Sequence, residues 1–232
     1  MGCAWLWIVS AGTRALEPTQ ARGGGAYMSD WLLALHSSTE TLGIALVGAD
    51  APMQEARVVC RSLGRALTNE LVISLQQVLP SDQWTDIKRL AVATGPGGFT
   101  GTRLTVVMAR TLAQQLGVPL HGVSSFALMA PRLRKHLPET QQQEPFSIVQ
   151  TLPRRGQVAG RYRIAKTGVE ELESPRLLTE REQPFPAIPM DVDVAADVLE
   201  LLRCCQDCHV RDHPGPWDPV LPIYPTSPVG PV

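Results

Sequence analysis

The chain has 232 residues, of which 44% are hydrophobic and 19% charged, and its formal net charge is −1. That composition fits a globular protein of one large domain or two small ones. It excludes a global basic signature for nucleic acid, and no apolar run reaches the roughly 18 residues of a membrane-spanning helix, so a cytoplasmic protein with no membrane partner is expected.

Residues 1–27 differ from the rest of the chain. Cys3 to Val9 is a short apolar run without a basic flank, which does not fit a secretory signal, and Gly12 to Gly25 has no periodicity. A disordered or mis-assigned extension is expected here, with Met28 or a neighbour as the biological start. Five cysteines in an odd, sparse set fit a reducing cytosol rather than a disulfide framework. Cys204-Cys205-x-x-Cys208-His209, with His213 nearby, raises a zinc reading because thiolate and imidazole suit that ion. There is no second Cys pair and the cluster ends a helical pattern, so a structural role is favoured.

From Met28 onward the pattern becomes regular. Trp31–Leu35 and Leu42–Val47 read as strands around a hydroxyl-rich turn at 36–41, and 55–60 supplies a third. Thr68 is the expected cap of a helix to about Leu79, whose apolar face carries Leu67, Leu71, Leu75, Val78 and Leu79. A strand at 89–93 leads into TGPGGFTGTR at 94–103 and then into an apolar helix over 104–116, with Thr102 as cap and Gly117 and Pro119 as stop. Leu120–Val123 is a fifth strand, and Ser124 starts a short helix through Leu133.

The order β-β-β-α-β-α-β-α implies an α/β mixed sheet of the ribonuclease-H-like, actin/Hsp70-type (ASKHA) class. A linker is expected over 137–147, then a smaller, degraded lobe over 148–226 and a tail at 227–232. In that lobe, 146–152 and 157–165 read as strands, 166–190 as irregular, and 192–205 as a helix. The N-terminal lobe is placed at 28–136.

The glycine-rich stretch carries the sharpest question. Glycine permits positive φ and close backbone approach, and a strand–loop–helix unit can offer N–H groups to an anion. Gly95, Gly97, Gly98, Thr100, Gly101 and Arg103 are therefore candidates for a phosphate or nucleotide loop. The spacing matches neither Walker A nor G-x-G-x-x-G, and a purely structural tight turn stands beside that reading. Acid–base chemistry is poorly supplied. The first strand turn carries His36, Ser37, Ser38 and Thr39 where magnesium would want a carboxylate, so no catalytic and no metal residues are assigned.

Charge is uneven. Residues 132–166 hold eight Lys/Arg against two Glu, a net of +6, and 167–200 hold nine acids against two Arg, a net of −7. A patch contacting RNA phosphates and a solvated surface with partly paired charges are both open, the second favoured for want of stacking aromatics.

The segments LALHSSTE (33–40), GPGGFTGTR (95–103) and GVSS (122–125) resemble the TsaB (YeaZ) family pattern of D-T-S-T, G-P-G-S-F-T-G-x-R and G-V-S-T/S, in order and spacing. Arg154-Arg-Gly-Gln-Val158 and Pro222-Ile-Tyr224 resemble two later segments. His36 stands for the usual Asp, Gly98 for Ser, Thr68-Asn69 for His-Ser, and Leu152-Pro153 for a segment with Asp. The resemblance implies a non-catalytic relative of TsaD, acting as a scaffold for threonylcarbamoyl (t6A) modification of adenosine 37 in tRNAs reading ANN codons. It implies a TsaD-type partner, a TsaE-type ATPase, indirect contact with tRNA and a homodimer when the partner is absent. No cofactor is expected, with ATP and magnesium entering only through partner subunits. Leu71, Leu75, Val107, Met108 and Thr111 are then the expected partner interface. The rival readings are a stand-alone ASKHA-type ATPase or kinase, a peptidase-like enzyme, and a direct tRNA-binding module using 132–166.

Overall fold

The computed structural model describes residues 30–166 and 168–225. The extension expected at 1–27 and the tail at 227–232 lie outside the described residues.

Strands β1 (Trp31–His36), β2 (Thr41–Gly48), β3 (Arg57–Ser62), β4 (Ile87–Ala93) and β5 (Leu120–Val123) form one sheet in the order β3-β2-β1-β4-β5. The first three run as an antiparallel meander, while β4 and β5 join β1 in parallel. The central strands are covered on both faces, which explains why Trp31 to Leu35 of β1 and Leu90 to Ala93 of β4 read as apolar runs rather than as alternation.

Successive side chains nevertheless divide between the faces. Leu33, Leu35, Ile44, Leu46, Leu90 and Val92 point to one core, with Leu71 and Leu75 of α1 (Leu67–Val78) and Val106 and Ala109 of α2 (Phe99–Leu116). Leu32, Ala34, Ala45, Ala91 and Ala93 point to the other, against Val198, Leu201, Leu202 and Cys205 of α4 (Val194–Val210). The alanines on that side let the helix approach closely. At Gly43 even one carbon more would lie 2.8 Å from Val194 Cγ1.

A second sheet has the order β8-β7-β6-β9, built from β6 (Phe146–Leu152), β7 (Gly156–Ala165), β8 (Gly168–Leu177) and β9 (Ala187–Pro189). Helix α3 (Ser125–Leu133) joins it through a core of Phe126, Met129, Leu133, Phe146, Ile148, Val158 and Tyr162. The segment after α4 returns to the first sheet. Leu120 donates its N–H to Gly215 O at 2.8 Å, Val220 is buried in the first core, and Ile223 donates to Thr94 O at 2.7 Å.

Several elements depart from the sequence expectations. Helix α2 begins at Phe99 rather than 104, with Gly98 as N-cap and Thr102 buried in the first turn, so Thr102 caps nothing. Helix α1 begins at Leu67 after a 3-10 turn over Gly64–Ala66. Its N-cap is Ala66 with no side-chain bond, and Thr68 lies inside the helix.

Residues 166–190 hold β8 and β9 rather than irregular chain. β8 was hidden because six of its ten residues are polar or proline and most are exposed, leaving no apolar alternation to read. Helix α4 runs to Val210, five residues past the expected end, so the cysteine cluster lies on the helix itself. β3 occupies 57–62 after a short 3-10 turn. β6 already begins inside the expected linker, which also contains a 3-10 turn over Glu139–Gln141. Gly117 at φ 66° and Ser124, whose Oγ accepts from Ala127 N–H, stop and start their helices as the sequence indicates.

Candidate functional site

The glycine stretch sits where β4 ends and α2 begins, facing the turn after β1. Gly98 donates its N–H to Ser38 O at 2.7 Å, and Gly95 O accepts from Ser125 N–H at 2.7 Å. Gly95 has φ 96°, in the region that favours glycine. A Cβ at Gly97 would overlap the Ser38 backbone, and one at Gly101 would lie 2.8 Å from Ser37 O. The glycines are therefore required by close packing of two backbones. Ser37 Oγ hydrogen-bonds Thr105 Oγ1, which donates to Gly101 O at 3.0 Å, tying the β1 turn to α2.

Of the six loop candidates, Gly95, Gly97 and Gly98 remain in the turn. Thr100, Gly101 and Arg103 lie on the first turns of α2. The Gly98 N–H that an anion would need is already used by Ser38.

The one carboxylate in the first strand turn is that of exposed Glu40, and His36 to Thr39 supply none. His36 is fully buried, its Nε2 lies 3.2 Å from Ser38 Oγ, and burial lowers its imidazole to about 4, so it is neutral at physiological pH. Among the described residues, His36 Nδ1, Thr102 Oγ1 and Ser125 Oγ are buried without a hydrogen-bond partner. Beside the turn a cleft of about 370 Å³ is lined by Pro96, Gly97, Phe99, Leu152, Ile223 and Tyr224, among others. The chain's own returning segment occupies one wall of it, with the Tyr224 ring 5.0 Å from that of Phe99.

His121 lies at the sheet end in contact with Arg89, their nitrogens 2.6 Å apart. Burial, then Arg89 and His213, lower it to about 4. Arg89, 3% exposed, also donates to His213 O at 2.5 Å. Among the described residues no three His, Cys, Asp or Glu side chains are placed to hold a metal ion. Cys204 and Cys208 stand one turn apart on α4 while Cys205 points into the core. Burial pushes the Cys204 thiol up to about 12 and raises the other two.

The interface candidates separate by burial. Leu71 and Leu75 are 5% and 0% exposed and belong to the core, which corrects their assignment as partner contacts. The apolar side chains that α1 presents outward are Val72 and Ile73, at 42% and 44% exposure. Helical spacing alone could have found them, as the residues beside the periodic face. Val107 is 53% exposed and Thr111 is exposed, while Met108 is half-buried against the core.

The two charge runs meet across β7 and β8. Arg161 registers with Glu173 and Arg163 with Glu170, the latter pair 3.2 Å apart. Arg132 reaches Asp191 at 2.9 Å and Asp197 at 3.3 Å, and Arg176 pairs with Glu182 and Glu173. Two cations of the +6 run, Arg132 and Arg163, are thus ion-paired with acids of the −7 run. No helix among the described residues is long and apolar enough to cross a membrane.

A family model described as TsaD, tRNA N6-adenosine threonylcarbamoyltransferase, matches residues 55–179, more than half of the chain. The Bacillus subtilis tRNA threonylcarbamoyladenosine biosynthesis protein TsaB is 34% identical over 102 residues, 43% of each chain. The Escherichia coli protein of the same name is 33% identical over 101 residues, 43% of this chain and 42% of its own. The chain thus spans less than half the length of the sequence relatives it matches. YeaZ from Pseudomonas aeruginosa superposes with a TM-score of 0.61 at 20% identity, over 84% of this chain and 99% of that one. A second Pseudomonas aeruginosa structure, described as similar to peptidase YEAZ, gives 0.65 at 20% identity over 85% and 100%. These two likenesses establish the fold, a mixed-sheet α/β architecture. By the matched motifs and these relatives, the chain belongs to the TsaB (YeaZ) family and carries a TsaD-like domain.

Proposed function

We propose that this chain is a non-catalytic scaffold in threonylcarbamoyladenosine formation on tRNA, docking a TsaD-type transferase through the outer surfaces of α1 and α2, with a TsaE-type ATPase joining the assembly. The observation that carries the reading is the exposed apolar set Val72, Ile73 and Val107 on two neighbouring helices whose inner faces are already filled. The glycine turn supports it, because its packing against Ser38 uses the geometry that would otherwise hold a phosphate. A neutral, buried His36 where a metal-binding carboxylate would stand points the same way.

The test is co-purification with the TsaD-type protein of the same organism, scored together with t6A content of tRNA by nucleoside mass spectrometry. Wild type should co-purify and restore t6A in a strain lacking the gene. Val107→Asp should abolish both while melting like wild type, since the side chain is on the surface. A folded Val107→Asp that still co-purifies would remove the reading. Micromolar binding and turnover of ATP with magnesium by the isolated chain would favour an enzyme instead.

A further inference from the structure

We propose that the thiols of Cys204 and Cys208, joined by the thioether of Met53, form a binding site for the soft ion Cu(I). The site is independent of the docking reading above, because α4 covers the face of the first sheet opposite α1 and α2.

Cys204 and Cys208 are four residues apart on α4 and so lie one above the other on one helix face. Cys205 is turned away from them, fully buried in the core beneath the helix. The other two thiols are half-buried and open into a cleft of about 430 Å³. Met53 lines the same cleft from the 3-10 turn Met53–Glu55 between β2 and β3. That connection is tied to α4 by Gln206, whose Nε2 donates to Ala51 O at 2.8 Å. His213 also lines the cleft, and its backbone N–H donates to Cys208 O at 2.8 Å. The fold therefore brings thiol, thioether and imidazole groups from distant segments to one opening.

The donor set selects the ion. Among the described residues no three His, Cys, Asp or Glu side chains converge, so the four ligands that zinc wants are not assembled. Thiolate and thioether sulfur favour Cu(I). This closed-shell ion is satisfied by a pair of sulfurs in line, and a third soft donor can join them in a plane. Burial raises both thiols, so without the metal they stay protonated, which disfavours a disulfide because its formation starts from a thiolate.

Binding exchanges two S–H bonds for two Cu–S bonds and releases two protons to solvent. The product is an anionic bis-thiolate group. Arg211 on the cleft and buried Arg89 behind Cys208 offset that charge, against Asp207 and Glu200, the latter already paired with Arg203 at 3.2 Å.

The experiment is anaerobic titration of the full chain with Cu(I) buffered by bicinchoninate. Wild type should take a single equivalent from the chelator and show a thiolate-to-copper charge-transfer band in the ultraviolet. Cys204→Ser and Cys208→Ser should each cost about a hundredfold or more in affinity, and Met53→Leu about tenfold, the range over which even indirect partners of a metal act. Cys208 is the less enclosed of the two thiols, so Cys208→Ser keeps the test sharp if Cys204→Ser melts low. Cys3→Ser and Cys60→Ser should leave stoichiometry and affinity unchanged.

Failure of wild type to draw Cu(I) from bicinchoninate overturns the proposal, and so does full affinity in Cys208→Ser. Full affinity in Met53→Leu removes the thioether from the set. Zinc bound as tightly as Cu(I) would overturn the choice of ion.

Discussion

Single residues at the glycine turn are constrained by neighbouring backbone. Gly101→Val would drive its side chain toward Ser37 O, 2.8 Å from the Cβ position, and toward Leu67. Overpacking of this kind costs about 1–3 kcal/mol. Differential scanning calorimetry should show a lower Tm, and unchanged melting would contradict the close packing of the two backbones. Titration behaviour also follows from burial. His36 and His121 are lowered from 6.5 to about 4, so the unfolded chain takes up protons that the folded one resists. Their contribution is intact above pH 6.5 and is lost as pH falls through 4. Asp197 runs the other way: buried, it is raised from 3.8 to about 6 despite Arg132, so its contribution is present below 3.8 and lost as pH rises through 6. Urea midpoints from pH 4 to 8 should therefore fall less steeply toward acid in His36→Asn, and rise toward neutral pH in Asp197→Asn relative to wild type. A wild-type slope in either variant counts against the corresponding assignment.

At the level of elements, α1 and α2 have one face in the core and one in solvent, and mutations should separate accordingly. Leu75→Ala removes a fully buried side chain and should cost about 2–5 kcal/mol, while molecules that remain folded keep their partner affinity. Val107→Asp should show the reverse, with stability unchanged and binding lost. Similar effects from both substitutions would mean that the α2 face is not a separate surface. The inner stripe of α1 is legible in the sequence, since Leu67, Leu71, Leu75 and Val78 recur at helical spacing. Periodicity reports which residues are apolar together, not which of two apolar surfaces is covered, so it could not correct the interface that the family resemblance implied for Leu71 and Leu75. The start of α2 was illegible for another reason. Three of its first residues, Thr100, Gly101 and Thr102, have low helix preference, and packing of Gly101 and Thr105 against the Ser37 turn overrides it.

Across the whole molecule, distant segments complete one another. The chain after α4 supplies Val220 and Trp217 to a core whose strands lie far earlier in the sequence, and closes beside β5 and the glycine turn. Val220→Ala should therefore weaken hydrogen-exchange protection in β4 and β5 as well as in the returning segment itself. Loss of protection confined to 214–225 would contradict that coupling. The charge runs behave similarly: separate in sequence, they register as Arg161–Glu173 and Arg163–Glu170 only once β7 and β8 pair. Sequence by itself determined the strand–helix order of the first half, the family motifs and the poverty of acid–base groups, because those depend on local periodicity and residue chemistry. Tertiary structure alone decided that the glycines serve backbone packing, that Leu71 and Leu75 are core while Val72, Ile73 and Val107 face outward, and that β8 exists at all. Each of those outcomes is set by what a residue meets across the fold, and one-dimensional spacing carries no record of that neighbour.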